Sequence, residues 1–178
     1  MEEIIIVFEE WRNIRGYLTY QVSNVGRVRN VKSGRILKTT ISCCGYAHLN
    51  LCLNGTLKNY NVHRLVAQEF IPNPNNKTTV DHIDSMAKLN NTTENLRWAT
   101  QKEQCRNISA RSNASSQYKG VCWNKFHSRW TAAITIDVKR IHLGYFKSEE
   151  EAALTYNKKA IEHFGEFAKL NVIAAAQR

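Results

Sequence analysis

The strand-forming runs of this chain are short and are separated by turn residues, and this pattern limits the chain to small sheets with thin cores. Of its 178 residues, 43% are hydrophobic and 22% are charged, a composition typical of an ordinary folded protein. A chain of this length is expected to contain two or three small modules. We predict an α+β protein with modules at 1–45, 46–108 and 117–172, and with a small polar linker at 109–116.

The first and third modules are predicted to be rich in β-structure. Glycines separate short strand-like runs in the first module, which indicates tight turns between short strands. In the third module, β-rich runs at 118–123, 130–136 and 140–146 predict a three-stranded antiparallel sheet. One helix follows, with Ser148 as its N-cap and Gly165 as its end.

The second module is predicted to contain a hairpin, a helix and then two more strands before a second helix. Residues 48–53 alternate apolar with polar side chains, and Asn54-Gly55 is typical of a two-residue hairpin turn. The pattern becomes helical at 63–70. Runs at 79–84 and 95–99 predict two strands, and Thr100 with Glu103 predicts the start of a helix.

Positive charge is concentrated in one long segment. The net charge is +10, and residues 11–68 contain no Asp or Glu. A basic surface without internal acids favours a polyanionic partner, and we predict double-stranded DNA. The alternatives are a basic protein that is kept soluble by its charge and a protein that binds an acidic membrane surface. We place nucleic acid ahead of them because no amphipathic helix accompanies the charge. The nine basic residues of the segment are Arg12, Arg15, Arg27, Arg29, Lys32, Arg35, Lys38, Lys58 and Arg64.

The cysteines and the N-terminus predict an intracellular protein. The five cysteines are odd in number and include no Cys-x-x-Cys pair, so both disulfides and a structural zinc are disfavoured. The apolar run at 4–8 is too short for a signal sequence and is flanked by glutamates.

Asp81 and His82 are the candidate chemical centre. Hydrolysis of a phosphodiester needs a base to activate water, a metal to hold the phosphate, and a group that orients the base. A carboxylate suits magnesium, and imidazole suits proton abstraction near pH 7. Neighbours on a strand point to opposite sides, so we expect a sharp bend at this pair.

The surrounding motifs make this region specific. Together they resemble the ββα-metal core of the HNH homing endonucleases over some fifty residues. The motifs are Val62-His63-Arg64-Leu65-Val66-Ala67, Phe70-Ile71-Pro72-Asn73-Pro74, Val80-Asp81-His82-Ile83-Asp84, Asn90-Asn91 and Asn95-Leu96-Arg97-Trp98-Ala99-Thr100.

This resemblance implies roles for individual residues. His82 would be the general base, and the carbonyl of Asn95 would orient it. Asp81 would be a ligand of magnesium, which manganese could replace. Relatives use an asparagine as the second metal ligand, whereas this chain has Gln104 at that position, with Asn107 as a candidate substitute one turn along.

The first module resembles a small module that is fused to intron-homing nucleases. The motifs are Gly16-Tyr17, Tyr20-Gln21-Val22-Ser23-Asn24 and Gly26-Arg27-Val28-Arg29. The resemblance implies DNA contacts from Arg27 and Arg29. We also expect Arg64 to bind DNA, whereas His63 could either contact a phosphate or be a structural histidine.

The third module resembles the DNA-binding domain of the plant ethylene-response factors. The motifs are Tyr118-Lys119-Gly120-Val121, Arg140-Ile141-His142-Leu143-Gly144-Tyr145-Phe146 and Glu151-Ala152-Ala153. A basic sheet of this kind suits the major groove, although a sheet that binds protein is an alternative. The resemblance implies DNA contacts from Lys119, Cys122, Asn124, Lys125, Thr135, Arg140 and His142.

The resulting hypothesis is a site-specific, magnesium-dependent DNA endonuclease from a mobile element, acting as a monomer without a protein partner. The alternative is a DNA-binding protein with a decayed nuclease core, because Gln104 departs from the family pattern. An RNA-binding module is disfavoured, since the sequence shows no evident aromatic platform for single strands.

Overall fold

A computed structural model describes residues 8–107 and 115–173. Its backbone contacts divide the chain into two compact units, Met1–Gln101 and Lys102–Arg178. The predicted boundary at residues 45 and 46 therefore falls within the first unit. Apart from Ser115 and Ser116, the predicted linker at 109–116 lies outside the described residues.

The described part of the first unit combines three small antiparallel sheets with a nine-residue helix. Its first sheet has the order β1-β2-β3, its second the order β4-β5-β6, and its third pairs β7 with β8. The elements are β1 (Trp11–Ile14), β2 (Tyr17–Ser23), β3 (Val28–Asn30), β4 (Thr40–Ile41), β5 (Ala47–Leu53), β6 (Thr56–Asn61), α1 (Val62–Phe70), β7 (Thr79–His82), a 3-10 turn at Thr93–Asn95 and β8 (Leu96–Ala99).

The hairpin and the helix predicted for the second module are confirmed. Asn54 and Gly55 have positive φ values of 50° and 77°, as a two-residue hairpin turn with a mirror-image twist requires. The helix α1 follows β6 directly, and its buried face packs into the core of the unit. That core draws on all three sheets and includes Ile14, Val22, Val28, Leu49, Leu51, Leu65, Val66, Val80 and Leu96.

The turn after β2 docks on the loop that precedes β8. The carbonyl oxygen of Asn24 accepts a hydrogen bond of 2.9 Å from the backbone N–H of Thr93. Gly26 has a φ of +84°, and a Cβ placed on it would lie 2.7 Å from the Cβ of Asn91. Glycine is required here for two reasons, the left-handed backbone and the close approach of Asn91.

The bend expected at Asp81 and His82 lies further along the chain. Strand pairing continues through both residues, with Asp81 opposite Arg97 and His82 opposite Leu96, and the bend begins at Ile83. The expectation of a bend at the pair was wrong, because β7 stays paired with β8 through both residues, and their side chains therefore keep the opposite directions of a regular strand.

The second unit confirms the predicted sheet and helix. It begins with the rest of α2 (Gln101–Arg106), and its sheet has the order β11-β10-β9. The elements are β9 (Val121–Asn124), β10 (Arg129–Ile136), β11 (Lys139–Phe146) and α3 (Glu149–Phe164), with a 3-10 turn at Gly165–Phe167. The hydroxyl of Ser148 accepts from the N–H groups of Glu150 and Glu151, and Gly165 is the C-cap of α3.

The helix α3 covers one face of this sheet. Its Ala152 and Ala153 pack with Val121 and Ala132, while Tyr156 packs with residues further along the sheet. Trp130, Leu143 and Phe146 are partly buried against this cluster. Among the described residues, no helix is long and apolar enough to cross a membrane.

Candidate active site

His82 lies at the buried end of β7, and its contacts include the side chains of Asn91, Tyr46 and His63. Its Nε2 lies 3.1 Å from the Oδ1 of Asn91. Its ring centroid lies 5.7 Å from that of Tyr46 and 5.1 Å from that of His63. His82 is 4% exposed and Asn91 is 5% exposed, so this hydrogen bond is shielded from water.

The orientation of the Asn91 amide determines the tautomer of His82. The Nδ2 of Asn91 donates a hydrogen bond of 3.2 Å to the carbonyl oxygen of Leu89, which turns Oδ1 toward the imidazole. An amide oxygen can only accept, so the Nε2 of His82 carries the proton and donates. In this tautomer the lone pair of the neutral ring is on Nδ1.

Burial keeps the His82 ring neutral. It lowers the pKa of His82 below its usual value, while the hydrogen bond to Asn91 and the charge of Asp81 act in the opposite direction. A neutral imidazole at neutral pH can accept a proton, which is the property that a general base needs.

His63 is buried beside His82. Burial, together with the neighbouring His82, lowers the pKa of His63 from 6.5 to about 4. Its Nδ1 is a buried atom that has no hydrogen-bond partner among the described residues. The structure thus places His63 in the wall of this site at the start of α1, and the phosphate contact considered for it stays a prediction.

Asp81 is held by a buried ion pair. Its Oδ2 accepts hydrogen bonds from the Nε and Nη2 of Arg97, at 3.2 Å and 3.0 Å. The side chains are 7% and 12% exposed, respectively. Because Arg97 is the cross-strand partner of Asp81, the register of β7 and β8 fixes the position of the carboxylate.

Asn95 supports the loop that connects His82 to β8. Its Oδ1 accepts from the N–H of Asp84 at 2.9 Å, and its Nδ2 donates to the carbonyl oxygen of Asn90 at 2.9 Å. Its backbone oxygen accepts from the N–H of Ile83 at 2.8 Å. The predicted role of Asn95 in orienting His82 stays a prediction, and the structure adds Asn91 as the residue that contacts the ring.

No role was predicted for Asn91 from the sequence, although the pair Asn90-Asn91 is one of the motifs in this region. The two asparagines cannot be told apart by type, and only the folded loop buries Asn91 while leaving Asn90 exposed.

Gln104 and Asn107 lie in the second unit, whereas Asp81 and His82 lie in the first. Gln104 is half-buried and Asn107 is buried, and the N–H of Asn107 donates to the backbone oxygen of Gln104 at 3.2 Å. Their roles as metal ligands stay predictions. Among the described residues, no group of three or more His, Cys, Asp or Glu side chains is arranged to hold a metal ion.

The predicted DNA-binding arginines of the first unit have different surroundings. Arg27 is exposed and forms an ion pair with Glu9. The guanidinium of Arg29 donates to the Oε1 of Gln21 and lies 4.2 Å from the centroid of the Trp11 ring. Arg64 is exposed on α1.

Cross-strand pairing in the second unit brings most of the predicted sheet contacts to one face. Thr135 lies opposite Arg140, and Ala133 lies opposite His142. Cys122 and Asn124 belong to the same face, because they lie opposite Thr131 and Arg129 on alternate positions of β10. This face is the one that α3 leaves uncovered.

Lys119 and Lys125 lie outside this face. The ammonium group of Lys119 donates to the backbone oxygen of Arg106, and burial lowers the pKa of Lys119 to about 8. Lys125 is exposed in the turn between β9 and β10. The DNA contacts expected from this sheet and from the arginines of the first unit stay predictions.

Comparisons with known proteins find similarity to a sequence motif and to HNH and DNA endonucleases. Residues 9–52 match the NUMOD4 motif. The chain is 47% identical over 94 residues to the DNA endonuclease I-HmuI of Bacillus phage SP01, a match covering 52% of this chain and 53% of that protein. It is 44% identical over 93 residues to the uncharacterized HNH endonuclease L245 of Acanthamoeba polyphaga mimivirus, covering 52% of this chain and 28% of that protein.

A solved structure extends the likeness to most of the chain. It is described as DNA binding and cleavage by the HNH homing endonuclease I-HmuI, and its TM-score is 0.51 at 30% identity. The match covers 87% of this chain and 91% of the solved one. The resemblance of the third module to the plant ethylene-response factors has no support in these comparisons and stays a prediction.

Proposed function

The chain belongs to the HNH homing endonucleases, and on that premise we propose that it cleaves double-stranded DNA at specific sites by hydrolysing phosphodiester bonds. The matches span only about half or less of the two curated relatives. The observation that carries the proposal is the buried hydrogen bond between His82 and Asn91, one residue from the carboxylate of Asp81.

His82 is the general base in this proposal. With Nε2 donating to Asn91, the Nδ1 atom is the position that takes the proton from an attacking water. The rings of Tyr46 and His63 pack on the imidazole and limit its rotation, so the base is oriented before DNA binds.

Magnesium is the metal that suits the Asp81 carboxylate. A hard carboxylate oxygen is a preferred ligand of Mg²⁺, which commonly takes one or two protein carboxylates and completes its shell with water and substrate phosphate. When bound, such an ion would stabilise the charge of the scissile phosphate and its leaving oxygen. Asp81 would hold the ion, with Gln104 as the proposed second ligand and Asn107 as the substitute, and manganese could replace magnesium.

The partner in this proposal is double-stranded DNA, bound by a monomer inside a cell. The acid-free basic segment at 11–68 supplies phosphate contacts, with Arg64 exposed on α1. Phosphate contacts position a protein on DNA without reading sequence. Site preference is therefore assigned to the uncovered face of the C-terminal sheet, through residues such as Thr135, Arg140 and His142.

The test is a nicking assay on a supercoiled plasmid library with random inserts, in magnesium and in chelator. We expect cleavage in magnesium alone, loss of cleavage in His82→Ala, and nearly unchanged DNA affinity in that variant. His163→Ala is the matched control, since this histidine lies on α3 and belongs to the second unit. Cleavage by His82→Ala at the wild-type rate would refute the proposal.

A DNA-binding protein with a decayed nuclease core is the second candidate. Gln104 favours it, because glutamine at the second ligand position places its oxygen about one methylene further out and magnesium tolerates misplaced ligands poorly. Wild-type protein that binds the library DNA but does not cleave it in magnesium or manganese would support this candidate.

A further inference from the structure

Four aromatic side chains form a row across the uncovered face of the C-terminal sheet. The ring centroid of Tyr145 lies 4.6 Å from that of His142 and 4.5 Å from that of His127. The His127 ring lies 4.9 Å from the ring of Phe126, in the turn between β9 and β10. We call Phe126, His127, Tyr145 and His142 the ring row.

The ring row is exposed to solvent. Phe126 is 91% exposed and Tyr145 is 49% exposed, and the two histidines also belong to the exposed class. The packing of α3 does not explain these positions, because its core lies on the opposite face of the sheet. Contiguous exposed aromatic groups are typical of a binding surface.

Basic side chains surround the ring row. Lys125 precedes Phe126 in the turn, Arg129 begins β10, and Arg140 is two residues before His142 on β11; all three are exposed. The carboxylate of Asp137 in the next turn is paired with Lys102. The surface therefore combines aromatic faces with positive charge, and its charge is complementary to a polyanion.

We infer that the ring row is a stacking platform for the bases of single-stranded DNA. A base in a duplex presents only its edge to a protein, because its faces are covered by neighbouring bases, whereas an unpaired base can stack on an exposed ring. Neighbouring rings in the row are tilted by 55–89°, so they offer faces in several directions and suit splayed bases. Lys125, Arg129 and Arg140 would contact the phosphates of the same strand.

This platform was not expected from the sequence, which showed no evident aromatic surface for single strands. Tyr145 and His127 are 18 positions apart, and strand pairing between β10 and β11 brings them together. The inference goes beyond the proposed cleavage of duplex DNA, and it does not depend on the metal or on His82. It shares Arg140 and His142 with the proposed duplex contacts, so the test replaces Tyr145 and Phe126, which have no proposed contact with the duplex.

Fluorescence anisotropy of the full chain in chelator tests the inference. The probes are a labelled oligothymidylate of about 16 nucleotides and a duplex of equal length. Stacking of one base on one ring predicts that Tyr145→Ala and Phe126→Ala each weaken binding of the single strand by about 5- to 100-fold. Binding of the duplex should change little, and Tyr145→Phe should retain single-strand affinity because it keeps the ring.

The matched control is Phe8→Ala. Phe8 is a phenylalanine of the first unit that is 82% exposed. This variant should leave both affinities unchanged. Phe126→Ala keeps the test valid if Tyr145→Ala fails to fold, since Phe126 has almost no buried surface. Unchanged single-strand affinity in Phe126→Ala and in folded Tyr145→Ala would overturn the inference, as would an equal loss on the duplex.

The chelator separates this test from the proposed function. Absence of cleavage in magnesium would refute the nuclease and leave ring-dependent binding of single strands intact. Wild-type cleavage together with ring-independent binding would refute the platform alone.

Discussion

Replacing Asn91 with alanine should slow cleavage without weakening DNA binding. The substitution removes the acceptor that lies 3.1 Å from the Nε2 of His82 and leaves a buried N–H group without that partner. Loss of a partner for a buried polar group costs about 1–3 kcal/mol. If a similar penalty of about 1.4–2.7 kcal/mol falls on the transition state, kcat decreases by about 10- to 100-fold. KM and DNA affinity should stay the same, because Asn91 is buried.

The pH dependence of cleavage distinguishes an effect on the base from general damage. The hydrogen bond to Asn91 raises the pKa of His82 against the lowering effect of burial. Its removal in Asn91→Ala should therefore shift the acid limb of the rate profile to lower pH while the plateau rate falls. Asn91→Asp keeps an oxygen at this position and adds negative charge, so its acid limb should move to higher pH, with activity recovering in alkaline buffer.

Asn90→Ala is the matched control for this experiment. Asn90 is exposed, and its side chain accepts a hydrogen bond of 3.3 Å from the N–H of Thr92 rather than from His82. Its variant should keep the wild-type pH profile. Cleavage by Asn91→Ala at the wild-type rate with an unshifted pH profile would contradict a role of Asn91 in holding the His82 ring.

Three further experiments test other parts of the structure. The pKa of His63 is lowered from 6.5 to about 4 in the folded protein. As the pH falls, His63 is therefore protonated in the unfolded chain before it is protonated in the folded one. The free energy of unfolding should then fall by up to about 3 kcal/mol from pH 6.5 to pH 4, a loss that urea titrations should find reduced in His63→Phe. Gly26→Ala should destabilise the first unit and slow cleavage, since the new Cβ would lie 2.7 Å from the Cβ of Asn91. Gly16→Ala is the control, because Gly16 has a similar positive φ of +79° but a Cβ placed on it would meet no described atom within 4 Å. This variant should leave kcat unchanged. In plasmid assays, Gln104→Asn should preserve or raise cleavage while Gln104→Ala reduces it; normal cleavage by Gln104→Ala would contradict its role as a ligand.

The local elements of the fold were predictable because each depends on a few neighbouring residues. The Asn54-Gly55 turn, the Ser148 cap and the Gly165 end of α3 are all confirmed. The position of the bend near Asp81 was not predictable, since it depends on how far β7 pairs with β8. A pairing register follows from contacts between distant segments, which a single sequence does not display.

The candidate site was predicted in part for the same reason. Asp81 and His82 stand in a recognisable motif, and the structure buries them on one strand. The residues that contact the His82 ring come from other elements, with Tyr46 before β5, His63 at the start of α1 and Asn91 in the loop before β8. Their convergence arises from packing, so residue spacing alone could not show it.

The contact between Gly26 and Asn91 has a consequence for exchanging parts among relatives. The turn that carries Gly26 lies within the segment that matches the NUMOD4 motif, and it packs closely against Asn91, whose Oδ1 lies 3.1 Å from the Nε2 of His82. In a chimera that takes this segment from another nuclease, the exchanged turn would not be matched to the loop of Asn91. The position of Asn91 beside His82 would therefore change. We expect such hybrids to lose turnover as well as target preference unless the loop around Asn91 is transplanted with the segment.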